Sequence, residues 1–222
     1  MDKPAARSSG PAPGLSPAAL AARLAAAGRG GRLRGDHDLN PGMGRPARRL
    51  PAAVLVALLA RPGGPTVLLT RRADGLADHG GEISLPGGRI EPTDRDPAAA
   101  ALREAAEEVG LPAGRVRLLG RLDDYLTRTG FLVRPVVGLV ARPPRLRPDP
   151  LEVAEIFELP LAHLLDPANR RIETRPAGGQ PRRFHVIPYR GRDIWGATAG
   201  MLVNLCEVLG RGERRGAGCV SS

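Results

Sequence analysis

One stretch of this chain, Leu85–Leu111 (LPGGRIEPTDRDPAAAALREAAEEVGL), constrains the fold more than any other. It reads as a tight glycine turn, a polar loop and then a helix. Asp96 can cap that helix and Pro97 fits its first turn, while Gly110 can stop it. The predicted helix therefore runs from Pro97 to Val109. At ~100° per residue, with Glu104 set to zero, Glu107 falls at about 300° and Glu108 at about 40°. Leu102, Ala105, Ala106 and Val109 fall on the opposite side. The pattern predicts a helix that lays its apolar side on a sheet and turns three carboxylates outward together. Like charges at this spacing weaken a helix by a few tenths of a kcal/mol. A divalent cation would account for the cluster, because hard Mg²⁺ takes carboxylate oxygens and keeps waters and phosphates as its other ligands. A solvated acidic face is the plain alternative. Gly87 and Gly88 let backbone approach the helix or a ligand without a side chain in the way.

Around this segment the chain reads as strands mixed with few helices. Ser16-Pro17 opens a short amphipathic helix over 18–27 that carries Leu20 and Leu24. Residues 28–49, rich in Gly, Arg and Pro, read as a linker. Ala52–Leu59 is a buried strand, and Thr66–Thr70 returns from the turn at 61–65 as a hairpin. Strands are expected at Ile83–Leu85, Arg117–Leu122, Phe131–Arg142, Glu152–Phe157 and Arg182–Tyr189. Leu161–Leu165 reads as a helical turn and Trp195–Leu209 as a closing helix. With no regular alternation of strand and helix, the class is α/β (α+β) around a mixed sheet. The boundaries expected are a basic segment over 1–49, partly disordered with one short helix, one folded domain over 50–209, and a disordered basic tail over 210–222.

Composition limits the partners. The chain of 222 residues carries a formal charge of +10, yet residues 1–50 hold 9 basic and 3 acidic side chains and residues 51–209 hold 21 and 19. The positive charge thus sits at the ends. With aromatics at only 3%, the folded part offers little to stack nucleic-acid bases on, and a nucleic-acid partner is not expected. A protein recruited to RNA by its tails is a separate possibility, and deletion of residues 1–45 is expected to abolish such binding while leaving catalysis intact. The two cysteines form no disulfide framework: Cys206 lies in an apolar helical pattern and Cys219 in the tail. No apolar run is long enough to span a membrane and no secretory leader is read, so the expected location is the cytoplasm.

The stretch from Gly88 to Leu111 resembles the Nudix box: a Gly, five residues, Glu, seven residues, then Arg-Glu-apolar-x-Glu-Glu-x-Gly-apolar. Here Asp94 stands for the first Glu and one extra residue precedes Arg103-Glu104-Ala105-Ala106-Glu107-Glu108-Val109-Gly110-Leu111. Upstream, Thr70, Arg72, Ala73, Gly81 and Pro86-Gly87-Gly88 are similar to the additional signature of the coenzyme A diphosphatase branch. That signature has a second Arg where this chain has Ala77 and a Phe where it has Leu85. The segments Tyr125–Phe131 and Ile194–Met201 resemble the same branch.

The resemblance implies a Nudix-type α/β/α sandwich around a mixed β-sheet and a metal-dependent hydrolase. It implies Glu104 and Glu108 as ligands of Mg²⁺ or Mn²⁺, and Glu107 as the base or a ligand through water. Arg103 would brace a carboxylate. Arg72, Gly87 and Gly88 would meet the substrate diphosphate. The branch implies a small-molecule substrate, coenzyme A or a derivative, cleaved to 3′,5′-ADP and 4′-phosphopantetheine. Another nucleoside diphosphate derivative, such as ADP-ribose or NADH, is the nearest alternative, and a non-catalytic Nudix-fold ligand-binding module a remoter one. His79, in the loop before Gly81, is a weaker candidate for substrate contact, and Glu152 and Glu155 for a distant metal ligand. His163 and His185 have no metal-ligand spacing. Tyr125 reads as a pocket or core residue, and Trp195 and Met201 as core of the closing helix.

Overall fold

A computed structural model describes residues 16–26, 32–75, 80–177 and 179–210. The chain begins with helix α1 (Pro17–Ala26), then strand β1 (Leu33–Gly35) and a 3-10 turn at Asp36–Asp38. Next come β2 (Leu50–Leu59), β3 (Thr66–Arg72), β4 (Ile83–Ser84) and β5 (Gly87–Arg89), which lead into helix α2 (Pro97–Val109). Strands β6 (Arg117–Arg121), β7 (Asp124–Leu126), β8 (Phe131–Val140) and β9 (Val153–Pro160) follow, then helix α3 (Leu161–Leu165). The chain closes with β10 (Arg171–Ala177), β11 (Gln180–Tyr189), β12 (Arg192–Trp195) and helix α4 (Gly196–Gly210).

The apolar decapeptide of β2 is the centre of the molecule. It lies parallel to β8 over its whole length, from Leu50 opposite Phe131 to Leu59 opposite Val140. Its other edge takes β5 near its start and the β3 hairpin at its end, both antiparallel. Successive side chains of a strand point to opposite faces. Ala53, Leu55, Ala57 and Leu59 accordingly join Ala100, Ala101, Ala105 and Val109 of α2 in one core. Ala52, Val56 and Leu58 join Leu20 and Leu24 of α1 and Leu202 and Leu205 of α4 in the other. Helices thus cover both faces of one nine-stranded mixed sheet, the α/β/α sandwich expected. A three-stranded antiparallel meander, β10-β11-β12, forms a second sheet and adds Ile187 and Ile194 to the core shared with α1 and α4.

Several expectations give way. Residues 32–49 are not a loose linker: β1 pairs in parallel with β7, Arg34 binds Asp123 at 2.8 Å and Glu207 at 2.5 Å, and Asp36 accepts the Tyr125 hydroxyl at 2.7 Å. Because Leu20 and Leu24 are fully buried, deletion of residues 1–45 would open the core rather than trim a tail. Trp195 ends β12 instead of opening the helix, with Phe184 edge-on at 5.3 Å and the Arg175 guanidinium at 5.4 Å. Met201 is core on α4, as expected, and Cys206 is a buried thiol that donates to Leu164 O. Burial pushes that thiol up to about 11. The segment 1–15 and residues 211–222 of the tail expected at 210–222, together with Ala77, His79 and Cys219, lie outside the described residues, while Gly210 ends α4. No helix among the described residues is long and apolar enough to cross a membrane.

Candidate active site

Helix α2 is pinned at both ends. Asp96 accepts from the Ala99 N–H at 2.8 Å, and Gly110 takes the left-handed conformation (φ 65°) that ends the helix. The Glu108 and Val109 carbonyls, which have no partner inside the helix, accept from the Asp149 and Arg147 N–H groups at 2.9 and 3.1 Å. Ala100, Ala101 and Ala105 are small enough to let α2 lie close on the sheet.

The helix is rotated from the phase its sequence suggests. Ala106 is exposed, whereas Glu108 is only 4% exposed and Glu104 is half-buried. The three glutamates do not share an outward face. Glu104 and Glu108 point toward β5, and only Glu107, 59% exposed, faces out. Glycine makes this possible. A methyl group at Gly88 would stand 2.5 Å from Glu104 Oε1. The Gly87 backbone lies close enough to Glu108 to favour its charged form. β5 is therefore a strand of two glycines and an arginine that serves as the wall of a carboxylate site.

Glu108 Oε2 is buried without a hydrogen-bond partner. Burial, then the neighbouring Glu104 charge, push the Glu108 carboxyl up to about 8; Arg72 opposes the shift and Glu152 adds to it. Burial also raises Glu104, and its ion pair with Arg103 at 3.1 Å opposes that rise. Arg72 sits at the end of β3, where the register with β9 shifts, and its buried Nε lacks a partner. Arg103 is a hub. It grips Asp94 through Nε at 3.1 Å and Nη2 at 3.0 Å, and reaches Glu107 Oε2 at 2.9 Å and the Arg89 carbonyl at 3.2 Å. Asp94 also accepts the Glu91 N–H at 2.8 Å, so it fixes both the loop and the arginine. The Arg103 hydrogen bonds hold Asp94 below the usual carboxylate range.

Other candidates lie elsewhere. Glu155 binds Arg192 and comes within 4.0 Å of Arg71. His163 Nε2 meets the Pro188 carbonyl at 2.9 Å, and burial lowers His185. Tyr125 packs against Gly200 in the core. Glu152, by contrast, is felt by both Glu104 and Glu108. It stands just before β9, and its nearness to α2 left no trace in local spacing.

Among the described residues, no three His, Cys, Asp or Glu side chains converge as a closed metal cluster. The residues nevertheless fit an open Mg²⁺-type site. Two hard carboxylates lie side by side, one has a buried oxygen with no donor, and such an ion needs only one or two carboxylates beside water and phosphate.

The NUDIX domain family model matches residues 49–175. "Uncharacterized Nudix hydrolase NudL" of Photorhabdus laumondii subsp. laumondii is 40% identical over 158 residues, covering 71% of this chain and 84% of that protein. The protein of the same name in Yersinia enterocolitica is also 40% identical over 158 residues, covering 71% and 80%. Among solved structures, the Nudix hydrolase RenU from M. smegmatis aligns with a TM-score of 0.47 at 23% identity, over 77% of this chain and 92% of that one. On the domain match and the relatives of similar length, this chain belongs to the Nudix hydrolases.

Proposed function

We propose that this hydrolase cleaves the diphosphate of coenzyme A and its derivatives, giving 3′,5′-ADP and 4′-phosphopantetheine. The observation that carries the reading is Arg72. The signature residues around it act together: Thr70 Oγ1 meets Ser84 Oγ at 2.9 Å, the Arg72 N–H donates to Glu82 O at 2.9 Å, and the Gly81 N–H donates to Arg72 O at 3.2 Å. These contacts bring the Arg72 guanidinium beside Glu108. A guanidinium with an unpartnered N–H suits a phosphate oxygen.

In this reading Glu104 and Glu108 hold Mg²⁺ or Mn²⁺, which when bound neutralises the diphosphate and activates a water. Arg72 fixes the diphosphate against the Gly87-Gly88 wall. Arg103 Nη1 holds Glu104 and Glu107 next to one another, at 3.1 and 2.9 Å. Glu107 takes the proton of the attacking water. A new P–O bond forms at one phosphorus, the bridging P–O bond breaks, and each product leaves with a phosphate.

A second reading, cleavage of ADP-ribose or NADH, is favoured by Ala77 where the branch has a second arginine. The test is product analysis after incubation with coenzyme A, ADP-ribose and NADH, each with Mg²⁺, Mn²⁺ or chelator. Metal-dependent 3′,5′-ADP from coenzyme A, ahead of the other two, is the expected result. Faster cleavage of ADP-ribose or NADH would replace the substrate. No cleavage by folded protein would favour a ligand-binding role.

A further inference from the structure

Strand β9 pairs only with β3, so its other edge is open among the described residues. Along that edge runs a groove of about 820 Å³, within the range of small-molecule sites. One wall is the loop that carries Arg145, and the other is the β11–β12 turn with Tyr189 and Arg190. Its charge is arranged unevenly. Glu158 is taken by Arg61 at 2.5 Å and Glu155 by Arg192, both inside the groove. Arg145 and Arg190 have no carboxylate partner among the described residues, so the groove keeps two uncompensated guanidinium groups. The aromatics are arranged with them: Arg190 lies 5.3 Å from the Tyr189 ring centre and Arg192 lies 4.9 Å from that of Phe157.

The backbone adds an independent sign. Arg190 and Gly191 form a two-residue turn between Tyr189 and Arg192, and Arg190 has φ 48°. It is the one non-glycine residue with positive φ among the described residues. Such turns favour Asn, Asp or Gly at this place. A long cationic side chain stands where the backbone disfavours it, which points to a use for the side chain.

We propose that the β9 groove is a binding site for a nucleoside phosphomonoester, with the phosphate on Arg145 and Arg190 and the base stacked on the guanidinium–aromatic pairs. Guanidinium groups bind phosphate bidentately and stack on flat rings, so the two halves of such a ligand match the two halves of the lining. A second copy of this chain would bring the same unpaired arginines against each other, which charge disfavours. The same ligand chemistry comes from two sources, the nucleotide end of a bound substrate or a free nucleotide. The inference stands apart from the choice of substrate for the glutamate site.

The test is titration of the full chain with 3′,5′-ADP in chelator, at low and at physiological salt. It compares wild type with Arg145→Ala, Arg190→Gly and the double variant. Arg190→Gly removes the guanidinium while suiting the φ, so a retained unfolding midpoint separates lost contact from lost fold. The expected result is a Kd raised at least tenfold in the double variant, partly restored by Arg190→Lys, and weakened by salt in wild type. A parallel rise in KM for the cleaved substrate assigns the groove to the substrate's nucleotide end; an unchanged KM assigns it to free nucleotide. Equal affinity of the wild type and the folded double variant, or no binding by wild type, overturns the proposal. Neither result depends on whether coenzyme A is cleaved.

Discussion

At the scale of single residues, the site centres on a buried carboxylate, one oxygen of which lacks a hydrogen-bond partner. Glu108→Gln keeps the shape and removes the charge. Loss of metal-dependent turnover by about 100-fold or more is expected, read by steady-state kinetics. Above about pH 8, where the metal-free Glu108 carboxyl is charged, the variant should unfold a few degrees higher than wild type, since a buried charge is gone, and the difference should shrink as the pH falls below that value. Near-normal turnover would end the metal-ligand assignment. Gly88→Ala tests the wall: its methyl group meets Glu104 Oε1 at 2.5 Å, so the carboxylate must move. Metal affinity measured by titration should fall, while Gly42→Ala, which meets nothing within 4 Å, should leave it alone. Arg72→Ala should raise KM for the substrate with the fold intact; unchanged kinetics would remove Arg72 from substrate contact. The residue identities of this site were legible in sequence because Arg103–Leu111 follows one spacing. Their orientation was not. With alanine at 98–101, 105 and 106, the helix has no bulky apolar stripe to declare which side is buried. The glycines of β5, outside the helix but packed against it, decide it.

At the scale of elements, the best-read piece is α2, whose limits Pro97–Val109 coincide with those expected. Its signals are local: Asp96, Pro97 and Gly110. β2, β3 and β8 were also legible, since long apolar runs announce themselves. Strands β1, β5, β7, β10 and β12 were not, and the reason is physical. Most are three or four residues long, and partners distant in sequence make them strands; β5 is largely glycine, a poor strand former. The cap gives a pH-dependent prediction. The Ala99 N–H holds the Asp96 carboxyl below its ordinary value. A depressed carboxyl contributes stability above its unfolded pKa and loses that contribution as pH falls through the folded one. Asp96→Ala should therefore cost about 1 kcal/mol near neutrality. The difference from wild type should shrink below about pH 4, as followed by urea unfolding across pH. A cost independent of pH would assign the effect to something other than the charged cap.

At the scale of the whole molecule, the N-terminal part is built into the domain. Leu20 and Leu24 each contribute about 1.5–3 kcal/mol by burial, and Arg34 ties β1 to α4 through Glu207. Removal of residues 1–45 is expected to lower the urea midpoint sharply and to expose apolar surface to a hydrophobic dye. An unchanged midpoint would show that the domain stands without them. Charge bookkeeping along the sequence suggested a detachable basic arm, because it counts arginines without seeing that Arg34 has two acidic partners. The leucine spacing over 18–27 predicted the helix correctly but not what it covers, since β6 and α4 are far away in the chain.

The parallel register of β2 with β8 also has a meaning in time. The two strands are about eighty residues apart in the chain, and contacts of that range are slow to form because a long loop must close first. On a ribosome, β2 lacks the one strand that pairs with it along its whole length until Val140 has been made. α2 lies within the loop that this pairing closes, so the glutamates acquire their buried setting only after the central pair has zipped. Catalytic competence should therefore appear late and all at once during synthesis, rather than growing with the length of the nascent chain.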